Sequence, residues 1–186
     1  MLHLLRIDTG EVRTSSEATQ VLSWSPDGQK VLLMKPLSPD NTGGLAWASW
    51  DDPTVRFIGD EIPAHVSVRE SVNWTGDSEH VVIVHQDTRI PGRTAGLVMF
   101  KLDGTIVARK GLVDAAGAPL LAFGPMDTQA GNPLIAGYDG LLDPSTGVVS
   151  PLPADAIPRW STRPGELLRW RMGPAGPQLD TVKVAQ

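Results

Sequence analysis

Apolar and polar positions along this chain alternate in short runs of three to seven residues, each closed by a turn signal. Leu22-Ser-Trp24 meets Ser-Pro-Asp-Gly, and an apolar run resumes at once as Val31–Met34. Proline presets the backbone for the second position of a tight turn, and glycine accepts the positive φ that ends one. The pattern predicts an antiparallel hairpin. It recurs in "VNWTGDSEHVVIV" (72–84), with Trp74 placed 50 residues after Trp24. Looser copies are "LLAFGPMDTQAGNPLIAG" (120–137), with Phe123 in the aromatic place, and "PRWSTRPGELLRWRM" (158–172), with Trp160 there.

A second kind of hairpin falls between these. "LLRIDTGEVRT", "LAWASWDDPTVRFIG", "LVMFKLDGTIVAR" and "GLLDPSTGVVSPL" each fold about an aspartate-containing turn. The turn aspartates Asp8, Asp52, Asp103 and Asp143 are separated by 44, 51 and 40 residues. Two alternating hairpins give four strands per repeat, and this period is that of propeller blades. Helical periodicity is absent beyond the short, β-branched "AHVSVRESV". The expected fold is all-β and β-propeller-like, with about four blades of four antiparallel strands. The expected organisation is a single domain over 1–186. Its N-terminal strands lie in 1–19, its blades at about 20–59, 69–111 and 118–152, and an incomplete last blade at 157–186.

"LSWSPDG" followed by an apolar strand resembles the repeat of TolB-type and related WD-repeat-like β-propellers, and "RIDTGEV" resembles the outer hairpin of the same blades. The Gly-His and Trp-Asp signature of true WD repeats is missing, and such propellers usually have six or seven blades. The resemblance implies a non-enzymatic scaffold for protein–protein interaction or ligand binding. Its alternatives are an accessory or gating propeller of a hydrolase or peptidase, and a self-assembling incomplete propeller. The strand "GEVRT" is the expected clasp if the ring closes by completing the last blade.

Composition narrows the chemistry. A net charge of −5 over 186 residues disfavours nucleic acid. The chain has no cysteine, which removes disulfides and thiolate chemistry. No run reaches the length of a membrane helix, so insertion is not expected. The start "MLHLLRIDTG" lacks the pattern of a signal peptide. The expected compartment is the cytoplasm, or outside it if the chain belongs to a longer one.

Asp27 and Asp77 occupy matching turns and are expected to cap them. His80 and His85 flank a strand with an offset of five, on opposite faces. Gly-x-Ser-x-Gly and a phosphate loop are both missing, so no catalytic residue, metal ligand or cofactor is assigned. Self-association or a protein partner is the expected mode of action. In "LAWASW", Trp47 and Trp50 fall on opposite faces, which makes Trp50 a candidate partner contact. In "ELLRWRM", Leu168, Trp170 and Met172 share the face expected to be buried between blades. Arg169 and Arg171 share the other and are the remaining candidate contacts. The long polar loops "KPLSPDNTGG" and "HQDTRIPGRTAG" are the expected binding face.

Overall fold

The computed structural model describes residues 2–15, 20–36, 43–59, 72–86 and 94–184. Much of both long polar loops, residues 37–42 and 87–93, lies outside them, as does the linker at 60–71.

A two-stranded hairpin, β1 (Leu2–Leu5) and β2 (Val12–Ser15), opens the chain. The first sheet runs β3 (Gln20–Trp24), β4 (Lys30–Pro36), β5 (Gly43–Ser49), β6 (Arg56–Gly59) in spatial order. The second repeats it with β7 (Val72–Trp74), β8 (His80–Gln86), β9 (Ala95–Lys101) and β10 (Ile106–Gly111). The fourth has three strands, β15 (Ala156–Trp160), β16 (Glu166–Gly173) and β17 (Gly176–Lys183).

The third sheet departs from the sequence pattern. Its meander is β12 (Ile135–Gly137), β13 (Gly140–Asp143) and β14 (Val148–Ser150). Its fourth strand is β11 (Val113–Asp114), which comes from earlier in the chain and lies parallel to β14 on the outer edge. The inner strand expected near 120 shrinks to one bridge, Asp127 with Ala136. Pro119, Pro125 and Pro133 punctuate this stretch, and proline cannot donate to a ladder.

The sheets stack face to face in chain order. Strand β8 shows why its sequence reads as an unbroken apolar run. Val81 and Ile83 join Leu32, Leu45 and Ile58 of the first sheet, around Trp74. Val82 and Val84 point the other way, to Phe123, Ile135, Leu142 and Val149. A strand buried on both faces loses the polar half of its alternation. On the N-terminal side, Leu2 and Leu4 of the hairpin cover Val31, Leu33, Ala46, Ala48, Trp50 and Val55. On the C-terminal side, Ala136 and Leu141 meet Trp160 and Leu167.

Strand β2 bonds only to β1, so the clasp expected of "GEVRT" does not form within the described chain. The hairpin instead spends its apolar face on the first sheet. Among the described residues no helix is long and apolar enough to cross a membrane.

Candidate binding site on the turn ridge

The turns that join the first and second strands of the first two sheets are built alike. Ser25 Oγ bonds Asp27 Oδ1 at 2.6 Å and accepts the Lys30 N–H at 2.8 Å. Asp27 Oδ1 also accepts the Gln29 N–H at 3.0 Å, and Gly28 closes the turn at φ 71°. In the second sheet Thr75 Oγ1 donates to Asp77 Oδ1, which also takes the Glu79 N–H at 2.8 Å. His80 Nδ1 lies 2.8 Å from Asp77 Oδ2, and Ser78 holds φ 61° where the first sheet has glycine. Burial pushes both carboxyls up, but the hydrogen bonds outweigh it and hold Asp27 and Asp77 below the ordinary carboxylate value. Both aspartates therefore cap their own turns.

The turns are also tied to one another. The Asp27 N–H donates to Ser78 Oγ and the Lys30 ammonium to Ser78 O, each at 3.1 Å. The Gly131 N–H donates to Gly76 O at 2.8 Å. Gln129 Nε2 donates to Ser161 O and Arg163 O, both at 2.9 Å, while its Oε1 accepts the Gly165 N–H at 2.8 Å. A continuous ridge of four turns results. Gly76 is required in it by close approach, since a Cβ there would stand 1.9 Å from Asn132 O.

Beneath the ridge the inner strands are linked by side chains. Trp74 Nε1 reaches Ser23 O at 3.5 Å, and Trp160 Nε1 donates to Asp127 O at 3.1 Å. The matching carbonyls place Asp127 opposite Ser23, so Thr128 occupies the position of Trp24 in the third sheet. Phe123, expected there, is buried instead against the second sheet and over Gly137.

Pro26 of the first turn faces residues 127–130 of the third sheet, and 159–162 and Pro164 of the fourth, across a recess of about 490 Å³. Asp127 and Arg159 supply opposite charges, and Thr128, Ser161 and Thr162 supply hydroxyls. Asp127 Oδ2 accepts the Trp160 N–H at 2.8 Å. Burial pushes the Asp127 carboxyl above its ordinary value, against that hydrogen bond and the nearby Arg159 charge. Ser161 Oγ is occupied by the Arg163 backbone. The recess can thus grip a group carrying both donors and acceptors. The sequence pattern marked Trp160 but not Asp127 or Gln129, which lie in a stretch without periodicity.

The structure places the three candidate contacts elsewhere. Trp50 is 5 % exposed, under the hairpin, with the Arg6 and Arg13 guanidiniums 4.5 and 5.1 Å from its ring centroid. An exposed anchor is ruled out there because β1 and β2 cover that face; the more open ring is Trp47, with Arg56 at 5.5 Å. Arg169 and Arg171 both reach Asp180 Oδ2 at 3.2 Å, on the face toward the third sheet. The face of Trp170 and Met172, expected to be buried, points away from the stack at 55 % and 82 % exposure. Leu167, one position before the Leu168 of that face, is the buried residue of this strand.

No protein-family model and no curated protein matches the chain. Among solved structures it is similar to TolB from Acinetobacter baumannii, at 15 % identity and a TM-score of 0.55, over 97 % of this chain and 45 % of that one. A second is the β-propeller domain of the Trilobed protease from Pyrococcus furiosus, at 13 % identity and a TM-score of 0.49, over 99 % of this chain and 76 % of that one. This chain spans less than half the length of the TolB chain. The successive antiparallel sheets, their stacking order and the likeness to TolB together give this chain the fold of a partial β-propeller.

Proposed function

We propose that this chain is a non-enzymatic docking scaffold that holds a loop of a protein partner in the recess between Pro26, Asp127 and Arg159. One observation carries the reading. The recess is walled by turns of the first, third and fourth sheets, which the ridge of turn-to-turn bonds links through the second, so the backbone that frames it is held in place before any ligand arrives. Preorganisation of this kind lowers the ordering cost of association. A carboxylate and a guanidinium with hydroxyls between them match the mixed donors and acceptors of a polypeptide loop. The overall propeller likeness agrees with a platform role, since loops and turns on a rigid scaffold are where binding concentrates.

The test is a panel of labelled loop peptides of varied charge, titrated with the protein and read by fluorescence anisotropy. Binding tighter than about 1 mM is expected for peptides carrying both a basic and an acidic residue. Arg159→Glu, on an exposed side chain, should weaken it about tenfold, while Ile106→Ala, on the outer strand of the second sheet, leaves it unchanged. A panel with no binder, or equal binding by Arg159→Glu, defeats the proposal.

A further inference from the structure

The two charged residues that line the recess are held very differently. Asp127 is fixed by backbone and side chain alike. Its N–H donates to Ala136 O at 2.8 Å, and its carbonyl accepts the Ala136 N–H at 2.9 Å and the Trp160 Nε1–H at 3.1 Å. Its carboxyl accepts the Trp160 N–H at Oδ2 and is also faced by the Thr128 N–H. Arg159 stands at an exposed position of β15. It acts on the carboxyl through its charge without forming an ion pair with it.

A carboxylate that is partly buried, anchored and not ion-paired with Arg159 makes the strongest electrostatic demand in the recess. Burial disfavours its charge, and a cation brought against it offsets that cost. The bonds already made decide which cation. A guanidinium binds a carboxylate best as a fork that uses both oxygens along one edge. Here Oδ2 is committed to the main chain of β15, so the two-pronged geometry is not open. An ammonium needs one carboxylate oxygen and separate acceptors for its other protons. Thr128 and Thr162 carry hydroxyls on the recess wall that can accept them.

We infer that Asp127 is the specificity-determining group of the recess and seats the ammonium of a lysine on the partner loop, in preference to an arginine guanidinium. The inference rests on the docking reading above, since it names the side chain that the partner loop must present. Arg159 is left to steer the encounter and to meet an acidic neighbour of that lysine.

The probe is a labelled, blocked peptide, acetyl-Gly-Ser-Lys-Ser-Asp-Gly-amide, prepared also with arginine, norleucine or acetyl-lysine in place of the lysine. All four are titrated by anisotropy against the parent and against Asp127→Asn, which keeps an acceptor for the Trp160 N–H. The parent should bind the lysine peptide about tenfold tighter than the norleucine and acetyl-lysine peptides, and about threefold tighter than the arginine peptide. Asp127→Asn should bring all four within about twofold of one another. Equal binding of the lysine and norleucine peptides by the parent overturns the inference and leaves the docking reading standing. A lysine preference that survives Asp127→Asn does the same. Equal binding of the lysine and arginine peptides overturns the choice of an ammonium. The comparison within the parent needs no variant, so it decides even where Asp127→Asn misfolds. No binding by any of the four overturns the inference, and the docking reading then stands or falls on the wider panel of loop peptides.

Discussion

Gly76→Ala tests whether the turn ridge is a stressed structural element. Gly76 has no positive φ, so the substitution carries no backbone penalty of its own. The new Cβ would stand 1.9 Å from Asn132 O and 2.7 Å from Gln129 O, both main-chain atoms. Rotating a side chain cannot relieve such a clash; the second and third turns must separate. Separation also lengthens the Gly131 N–H to Gly76 O bond, now 2.8 Å. Overpacking of this kind costs about 1–3 kcal/mol and the lost bond about 1 kcal/mol more, for a total of about 2–4 kcal/mol. Urea unfolding followed by tryptophan emission reads the loss. At a slope of about 2 kcal/mol per molar, the midpoint should fall by about 1–2 M. The control is Gly111→Ala, where no atom lies within 4 Å of the added Cβ and φ is again ordinary. It should shift stability by less than about 0.5 kcal/mol. If Gly76→Ala behaves like the control, the turns are not packed as described and the rigidity argued for the recess fails with them.

Asp127→Asn keeps an acceptor for the Trp160 N–H but removes a charge that burial disfavours. Asp127 has a raised folded pKa, so its stabilising contribution is complete below the unfolded value of about 3.9 and is lost as pH rises through the folded value. The variant should therefore unfold at higher urea than the parent at pH 7, and the advantage should vanish below about pH 4. Asp77→Asn should do the reverse. Its carboxyl is held low in the folded chain, so parent stability present above about pH 3.9 declines as pH falls through the folded value, and an acid titration of the variant should show a shallower decline. Arg13→Ala removes hydrogen bonds to Trp50 O at 2.8 Å and Asp51 O at 3.1 Å together with its ring contact. A loss of about 1–2 kcal/mol and a red-shifted tryptophan emission are expected. Trp160→Phe keeps most of the buried ring but removes its Nε1 bond to the Asp127 carbonyl, which retains the Ala136 N–H, and should cost about 1 kcal/mol by the same urea assay.

The readable parts of the sequence were those where local chemistry and long-range packing agree. Ser-Pro-Asp-Gly specifies its turn by proline, glycine and a self-capping aspartate, whatever surrounds it. Asp52, Asp103 and Asp143 likewise each accept an N–H from two residues further on. The third sheet was harder because its inner strand is a single bridge and its outer strand arrives from outside the repeat, and neither leaves a periodic trace. The buried face of β16 departs from the sequence pattern for a different reason. Leu167 and Leu168 are adjacent, so alternation permits either face inward. Asp180, on the neighbouring strand, settles the choice by pairing with Arg169 and Arg171. Trp50 is apolar enough for core or interface, and only the hairpin lying over it decides.

The inner and outer halves of these sheets obey different constraints. Each inner strand is fixed by its neighbours. Asn73 donates to Met126 O, Asp127 accepts from Trp160, and the turns above them interlock, so a change in one sheet is felt in the next. The outer halves are joined across sheets at other points, as where Trp47 Nε1 donates to Leu102 O at 3.2 Å, but their edge strands are supplied in different ways. Two are completed by a hairpin return, one by a parallel segment from earlier in the chain, and that of β17 by no described strand. Variation is cheap where elements are not mutually bonded. The ridge of inner turns can therefore keep the recess constant while the outer strands differ from sheet to sheet.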